Sequence, residues 1–370
     1  AMRQMKEDVG RNNILYIHLT YVPIPSGVNE QKSKPTQQSV NLLRQRGIFP
    51  DVIIGRCAEL LTREIKSKIS SFCDVDSEAV ITGLDVDDVY EIPLIFETEG
   101  LPEIIHKKLN IYSPPDLRKW RRLIENLKHP TREITVAMCG KYTKLGDSYA
   151  SIIESFHHCS AHLSCKINLE WIETTDLQDF SFLEKIQGIV VPGGFGARGA
   201  EGKIQVIQHA RERNIPFLGL CLGLQMAVIE YSRNVCGLTG AHSTEMDAAT
   251  PHPVIDILPE QKTITEKGGT MRLGAYTALV KKGSVVQRLY QAEEVSERHR
   301  HRYEVNPAFH GILQEKGLVF SGISKDGRLV EFIELPHLKY FVATQAHPEL
   351  KSRMEKPAPL FYGFIRACLG

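Results

Sequence analysis

Apolar and polar positions along the chain alternate between short apolar runs and longer amphipathic stretches. Residues 13–22, 51–55 and 79–84 are apolar runs that read as strands, and 38–47 and 61–72 between them read as helices. Residues 23–38 are a polar loop containing Pro and Gly. Strands that alternate with helices predict a parallel α/β sheet. Residues 111–132 break the rhythm with Pro114-Pro115, a charged helix and His129-Pro130, and read as an interdomain linker between domains at 1–110 and 133–370. The second domain predicts another α/β run: strand 133–139, helix 147–162 with Asp147 or Ser148 as N-cap, strands 167–172 and 187–191, helix 200–213, strand 215–220 and a helix from 222. Residues 268–345 look strand-rich, and no internal repeat is visible.

Composition narrows the classes. A chain of 370 residues suggests two domains, and a net charge of +1 creates no global field to recruit nucleic acid or a membrane surface. No apolar run approaches the ~20 residues of a membrane span. The charged N-terminus lacks the apolar core of a signal peptide, so the expected location is cytoplasmic. The eight cysteines (Cys57, Cys73, Cys139, Cys159, Cys165, Cys221, Cys236 and Cys368) contain no CxxC pair. A disulfide framework or zinc site is therefore not expected, nor any other metal site.

One cysteine stands apart. The apolar strand Pro216-Phe-Leu-Gly-Leu runs into Cys221-Leu222-Gly223 and directly into a helix. That is the logic of a nucleophile elbow, with sulfur in place of oxygen. The flanking glycines permit a sharp turn, and the helix N-terminus favours a thiolate. The Leu222 N–H can donate to an oxyanion. A cysteine hydrolase also needs a base and a group to orient it. Gln345-Ala346-His347-Pro348-Glu349 supplies both, since Pro348 restricts the backbone of His347 and Glu349 can fix its tautomer. Val191-Pro-Gly193-Gly194-Phe195-Gly196 supplies the second half of an oxyanion site. Gly194-Phe-Gly196-Ala-Arg-Gly199 also fits a dinucleotide fingerprint, but the next strand ends in Leu220-Cys221 where an acidic residue is needed.

In this order, the glycine loop, the cysteine elbow and His-Pro-Glu resemble class I glutamine amidotransferases. Lys32-Ser33-Lys34-Pro-Thr-Gln37, Gly268-Gly-Thr-Met-Arg272-Leu-Gly274 and Arg298-His-Arg-His-Arg302-Tyr-Glu-Val-Asn306 narrow the resemblance to the CTP synthase family, over nearly the whole chain. The fold implied is α/β: a partial P-loop-type, parallel-sheet synthetase (amidoligase) domain, then a class I glutamine amidotransferase domain. The resemblance implies Cys221, His347 and Glu349 as the catalytic set. It implies glutamine contacts at Gly194, Leu222, Gln225, Glu245 and Arg302. Lys32, Lys34, Gln37 and Lys68 match UTP- or CTP-binding positions, Leu84, Asp85 and Val86 an adenine-side segment for ATP, and Arg272 a lid position linked to activation by GTP. The implied activity is ATP-dependent amination of UTP to CTP with ammonia from glutamine. Mg²⁺ and ATP belong to the intact enzyme, GTP is an allosteric activator, and the chain itself holds no tightly bound cofactor. The implied assembly is a homotetramer, with filaments in prospect, and neither nucleic acid nor membrane is a partner.

Four features depart from the family pattern. No GxxxxGK[ST] occurs; the nearest string, Gly199-Ala-Glu-Gly202-Lys203-Ile204, has the wrong spacing. The chain would then begin partway through the synthetase domain, leave sheet edges exposed and be limited to the glutaminase half-reaction. Ala346 stands where an aromatic residue is usual, His242 where Asn is usual, and Ser33 where Thr is common. Two other readings stay open: another class I glutamine amidotransferase, or a non-synthesising regulatory or assembly subunit.

Overall fold

Three parallel strands, β1 (Ile17–Tyr21), β2 (Val52–Cys57) and β3 (Val80–Leu84), pair in that order in the first of two units, residues 1–124. The computed structural model describes residues 1–141, 146–257 and 271–370. Helices α1 (Met2–Val9), α2 (Lys34–Gln45), α3 (Arg63–Cys73), α4 (Ile92–Thr98) and α5 (Leu101–Leu109) accompany the sheet. The strand alternation sorts the core. Ile53 packs with Val40, Ile65 and Ile69 of α2 and α3, whereas Val52, Ile54 and Ile81 pack with Leu101, Phe96 and Ile104 of α4 and α5. The short helices α4 and α5 carry weak periodicity and were not legible in the sequence. Among the described residues β1 pairs only with β2, and its Ile17, Leu19 and Tyr21 are 44, 67 and 56 % exposed. Helix α6 (Arg118–Lys128) lies in the segment read as a linker, and the border between the units falls inside it.

The second unit, residues 125–370, is built on one mixed sheet. Its parallel half comprises β4 (Arg132–Gly140), β5 (Cys165–Glu173), β6 (Gly188–Val191), β7 (Phe217–Leu220) and β15 (Phe341–Thr344), in the spatial order β15-β7-β6-β4-β5. Ala137, Ile189, Val191 and Phe217 face α8 (Ala200–Glu212) and α9 (Leu222–Asn234). Val136, Met138, Val190, Leu218 and Leu220 face α7 (Ala150–Leu163) and a C-terminal helix, Pro359–Leu369. Burial on both faces accounts for the continuous apolar runs. The strand-rich reading of 268–345 corresponds to β10 (Arg272–Val280), β11 (Glu294–His301), β13 (Val319–Ser324) and β14 (Val330–Glu334), which extend the sheet antiparallel from β15. A small separate sheet joins β12 (Tyr303–Val305) to β9 (Pro253–Ile257) and β8 (His242–Ser243). Gly268, Gly269 and Thr270 of the lid motif lie outside the described residues.

Candidate active site

The centre of the parallel sheet determines where the site lies. β6, β7 and β15 are neighbours in register, with Val191 opposite Gly219 and Thr344 opposite Leu220. Their C-terminal ends deliver the Gly193-Gly194 loop, Cys221 and His347 to one edge, where open α/β sheets place ligands. Cys221 sits between β7 and α9 with φ 50° and ψ −99°. A non-glycine residue in this region is strained, by about 1–3 kcal/mol. The neighbouring glycines are required by contact: a Cβ on Gly223 would lie 2.2 Å from the Val191 carbonyl oxygen, and one on Gly219 2.8 Å from the Ala343 Cβ. The turn is anchored by Cys221 N–H donating to Thr344 O at 2.7 Å. The first N–H groups of a helix have no intrahelical acceptor, so that of Leu222 is available for an anionic oxygen beside the sulfur.

His347 opens a short helix, Pro348–Lys351, and its backbone N–H donates to Arg298 O of β11 at 2.8 Å. Its Nδ1 meets Glu349 Oε1 at 2.7 Å, which leaves Nε2 as the nitrogen to act on Cys221. Burial alone would lower the imidazole pKa. The hydrogen bonds and charges of Cys221 and Glu349 outweigh it and push the pKa up to about 10. Cys221 and Glu349 are both buried. Gly193 closes the gap, since a Cβ there would lie 2.9 Å from His347 Cε1 and 3.5 Å from Cys221 Cβ. A cleft of about 280 Å³ opens on this edge, lined by Gly193, His347, Glu349, Arg300 and residues 147–152. A thiol, an imidazole held by a carboxylate and a backbone donor in this arrangement can perform acyl transfer at sulfur.

The residues matched to glutamine fall around the same edge. Gly194 lies against Leu222, whose Cδ2 a Cβ would approach to 3.3 Å. Glu245 accepts the Gly196 N–H at 3.0 Å and so tethers the glycine loop. Buried Gln225 donates to Tyr303 O at 3.0 Å and to Gln345 Oε1 at 3.3 Å. Arg302 is half-buried between β11 and β12. Arg272 is turned inward, 8 % exposed, donating to Glu304 at 3.2 Å and Glu331 at 2.8 Å. Of the departures, Ala346 is buried with its N–H on Thr344 Oγ1 at 3.1 Å, and His242 takes the Ser243 N–H at 2.9 Å. Sequence reasoning treated Gln345 only as a flank of His-Pro-Glu. It is fully buried, with Nε2 3.6 Å from Cys221 Sγ. Nothing in a single sequence distinguishes such a glutamine from a packed one.

In the first unit the residues matched to nucleotides follow the C-terminal ends of its strands. Lys32 pairs with Glu30, and Lys68 also acts on that carboxylate, so the two lysines share a surface. Lys34 is exposed and opens α2, and Gln37 donates to the N-cap Ser33 Oγ at 3.0 Å. Leu84 ends β3, Asp85 accepts from Arg56 at 2.7 Å, and Val86 follows, half-buried. A larger cleft of about 840 Å³ lies at the opposite, N-terminal ends and is lined by none of these residues.

Fold and site together define a class I glutamine amidotransferase, and the model of that family, described as glutamine amidotransferase class-I, matches residues 144–367. A second model, CTP synthase N-terminus, matches residues 1–111. The chain is 52 % identical to the CTP synthase of Methanocaldococcus jannaschii over 380 residues, covering 100 % of this chain and 70 % of that protein. It is 50 % identical to the CTP synthase of Pyrococcus furiosus, covering 99 % and 69 % respectively. The glutaminase domain of Trypanosoma brucei CTPS with bound acivicin superimposes at TM-score 0.60 and 37 % identity, over 64 % of this chain and 94 % of that one. The chain belongs to the CTP synthase family. Among the described residues no helix is long and apolar enough to cross a membrane.

Proposed function

We propose that Cys221, His347 and Glu349 hydrolyse glutamine and that the ammonia released serves amination of UTP. The chain is a glutamine-dependent, CTP-forming ligase, and neither alternative reading is favoured by relatives this similar over its whole length. The observation that carries the site assignment is the strained Cys221 at the head of α9, beside an imidazole that Glu349 holds at 2.7 Å.

The steps follow from the geometry. Cys221 Sγ attacks the side-chain amide carbon, and the Leu222 and Gly194 N–H groups receive the developing oxyanion. His347 gives its Nε2 proton to the leaving nitrogen, the C–N bond breaks, and ammonia departs from a glutamyl thioester. Water then attacks that carbon, His347 takes its proton, the C–S bond breaks, and glutamate leaves. Glu349 keeps the imidazole in one tautomer throughout. Gln225 spends both amide protons on Tyr303 and Gln345, so its carbonyl oxygen is the group to face the substrate's donors. Glu245 and Arg302 supply charges for the amino-acid head.

In the first unit, Lys32, Lys34, Gln37 and Lys68 bind the UTP or CTP phosphates, and Leu84, Asp85 and Val86 the adenine side of ATP. ATP phosphorylates O4 of UTP, and ammonia displaces the phosphate. Arg272 couples GTP to the glutaminase. Among the described residues no group of three His, Cys, Asp or Glu side chains converges on a metal-sized site. The functional partition is 1–110, 111–132 and 133–370, the location cytoplasmic and the assembly a homo-oligomer. The test is glutamate release from glutamine, with and without GTP, against Cys221→Ala. Release that requires Cys221 and rises with GTP is expected; release that survives Cys221→Ala would refute the assignment.

A further inference from the structure

The amide of Gln345 has only one hydrogen-bonding orientation, and it points a donor at the sulfur. The backbone carbonyl of Tyr303 can only accept, so Gln225 Nε2, 3.0 Å away, must be the donor there. The same NH₂ reaches Gln345 Oε1 at 3.3 Å, which makes that atom an acceptor. Gln345 therefore turns its own NH₂ toward Cys221 Sγ at 3.6 Å, a normal separation for an N–H on sulfur. The side chain is 0 % exposed, so no water competes for the bond. Its backbone is held too, with Gln345 N–H donating to Glu331 O at 2.9 Å.

We infer that Gln345 is a second support of the Cys221 thiolate, donating an N–H to the sulfur in addition to the action of His347, and that Gln225 sets its direction. The inference rests on Cys221 being the nucleophile. A thiolate accepts hydrogen bonds far better than a thiol or a thioester sulfur. The donor thus favours the reactive anion before attack and receives the leaving sulfur when the thioester is hydrolysed. The ionisable groups facing Cys221 are His347 and, behind it, Glu349. The charge of His347 in turn reaches His299 and His301 of β11. None of these is altered in the variants below.

The experiment measures the rate of Cys221 alkylation by iodoacetamide from about pH 5 to about pH 10, a range that brackets the ordinary thiol value of about 8.5. It uses the full chain, with peptide-resolved mass spectrometry to separate the other cysteines. Gln345→Glu keeps the acceptor for Gln225 and removes the donor. It is expected to slow alkylation at neutral pH about tenfold or more and to move the profile toward alkaline pH. Gln345→Met keeps the volume and is expected to move the profile in the same direction. It carries the test if Gln345→Glu fails to fold by circular dichroism. Glutaminase kcat should fall in parallel with little change in KM. A merely structural role would leave the profile of the uncharged Gln345→Met unshifted, whereas the carboxylate of Gln345→Glu repels the thiolate in either case, so Gln345→Met decides. A Gln345→Met profile that superimposes on the parent's, in a chain that Cys221→Ala inactivates, would overturn the inference. Hydrolysis that survives Cys221→Ala would instead remove the reading on which it rests.

Discussion

One carbonyl oxygen, that of Tyr303, orders much of the site. It accepts from Gln225 at 3.0 Å and from His301 Nδ1 at 3.3 Å, which uses both its lone pairs. His301 is thereby the Nδ1–H tautomer, its Nε2 accepts from His299 Nδ1 at 2.9 Å, and His299 Nε2 is left facing Glu331 Oε2 at 3.6 Å. The catalytic imidazole is set in the same way by Glu349. Glu349→Gln keeps the size but replaces the anion that stabilises the imidazolium, so kcat for glutamine hydrolysis should fall by about 10²–10⁴-fold with KM little changed. Steady-state kinetics checks this, and an unchanged kcat would contradict it. At this scale the sequence was informative where chemistry is carried by rare residue types in tight strings. Cys221 between Leu220 and Gly223, and His347 two residues before Glu349, were legible. Gln345, Tyr303 and Glu331 were not, because their roles come from partners across the sheet, and a backbone carbonyl leaves no mark in the sequence.

At the level of elements, the apolar runs marked the strands reliably, since burial on both faces leaves few polar residues in β6, β7 and β15. Helix 38–47 proved to begin earlier, at Lys34, because Pro35 occupies its first turn and Ser33 its N-cap. The packing of α9 beneath the elbow leaves no room at Gly223. Gly223→Ala should lower stability by at least about 2 kcal/mol, read from denaturant unfolding, because the obstacle is backbone. Strand β11 alternates exposed and buried residues and turns Glu297, His299 and His301 inward. Burial, reinforced by the charges of Arg272 and His347, lowers the His299 pKa to about 3. A depressed histidine favours the fold while neutral. Its contribution is present above the unfolded value near 6.5 and is lost as pH falls toward 3. Stability should therefore drop between those values by up to about 1.4 kcal/mol per pH unit from this residue. His299→Gln should flatten that acid limb in pH-dependent unfolding; an identical limb would contradict the assignment. Glu304, raised to about 8 mainly by burial, acts in the other direction: its contribution is lost as pH rises through that value.

Across the molecule, both units place candidate residues at the C-terminal ends of parallel strands, Leu84 at the end of β3 in the first and Gly194, Cys221 and His347 after β6, β7 and β15 in the second. The chain covers 70 % of the length of its Methanocaldococcus jannaschii relative, with β1 presenting an apolar face to solvent. The α/β class and the order of motifs could be read without coordinates. The exposed face of β1 could not, because alternation in Ile17–Tyr21 reads equally well as a half-buried strand. The central claim is that one cysteine of eight carries the glutaminase chemistry. Burial pushes the thiols of Cys73, Cys139, Cys159, Cys165, Cys236 and Cys368 up and away from thiolate, whereas Cys221 alone sits at an elbow beside an imidazolium. The most direct measurement is incubation with a chloromethyl ketone analogue of glutamine, followed by intact-mass and peptide mass spectrometry. A single adduct on Cys221, suppressed by excess glutamine and absent in Cys221→Ala, is the expected result. Inactivation with the adduct on another cysteine, or a Cys221 that stays unmodified in folded protein, would contradict it.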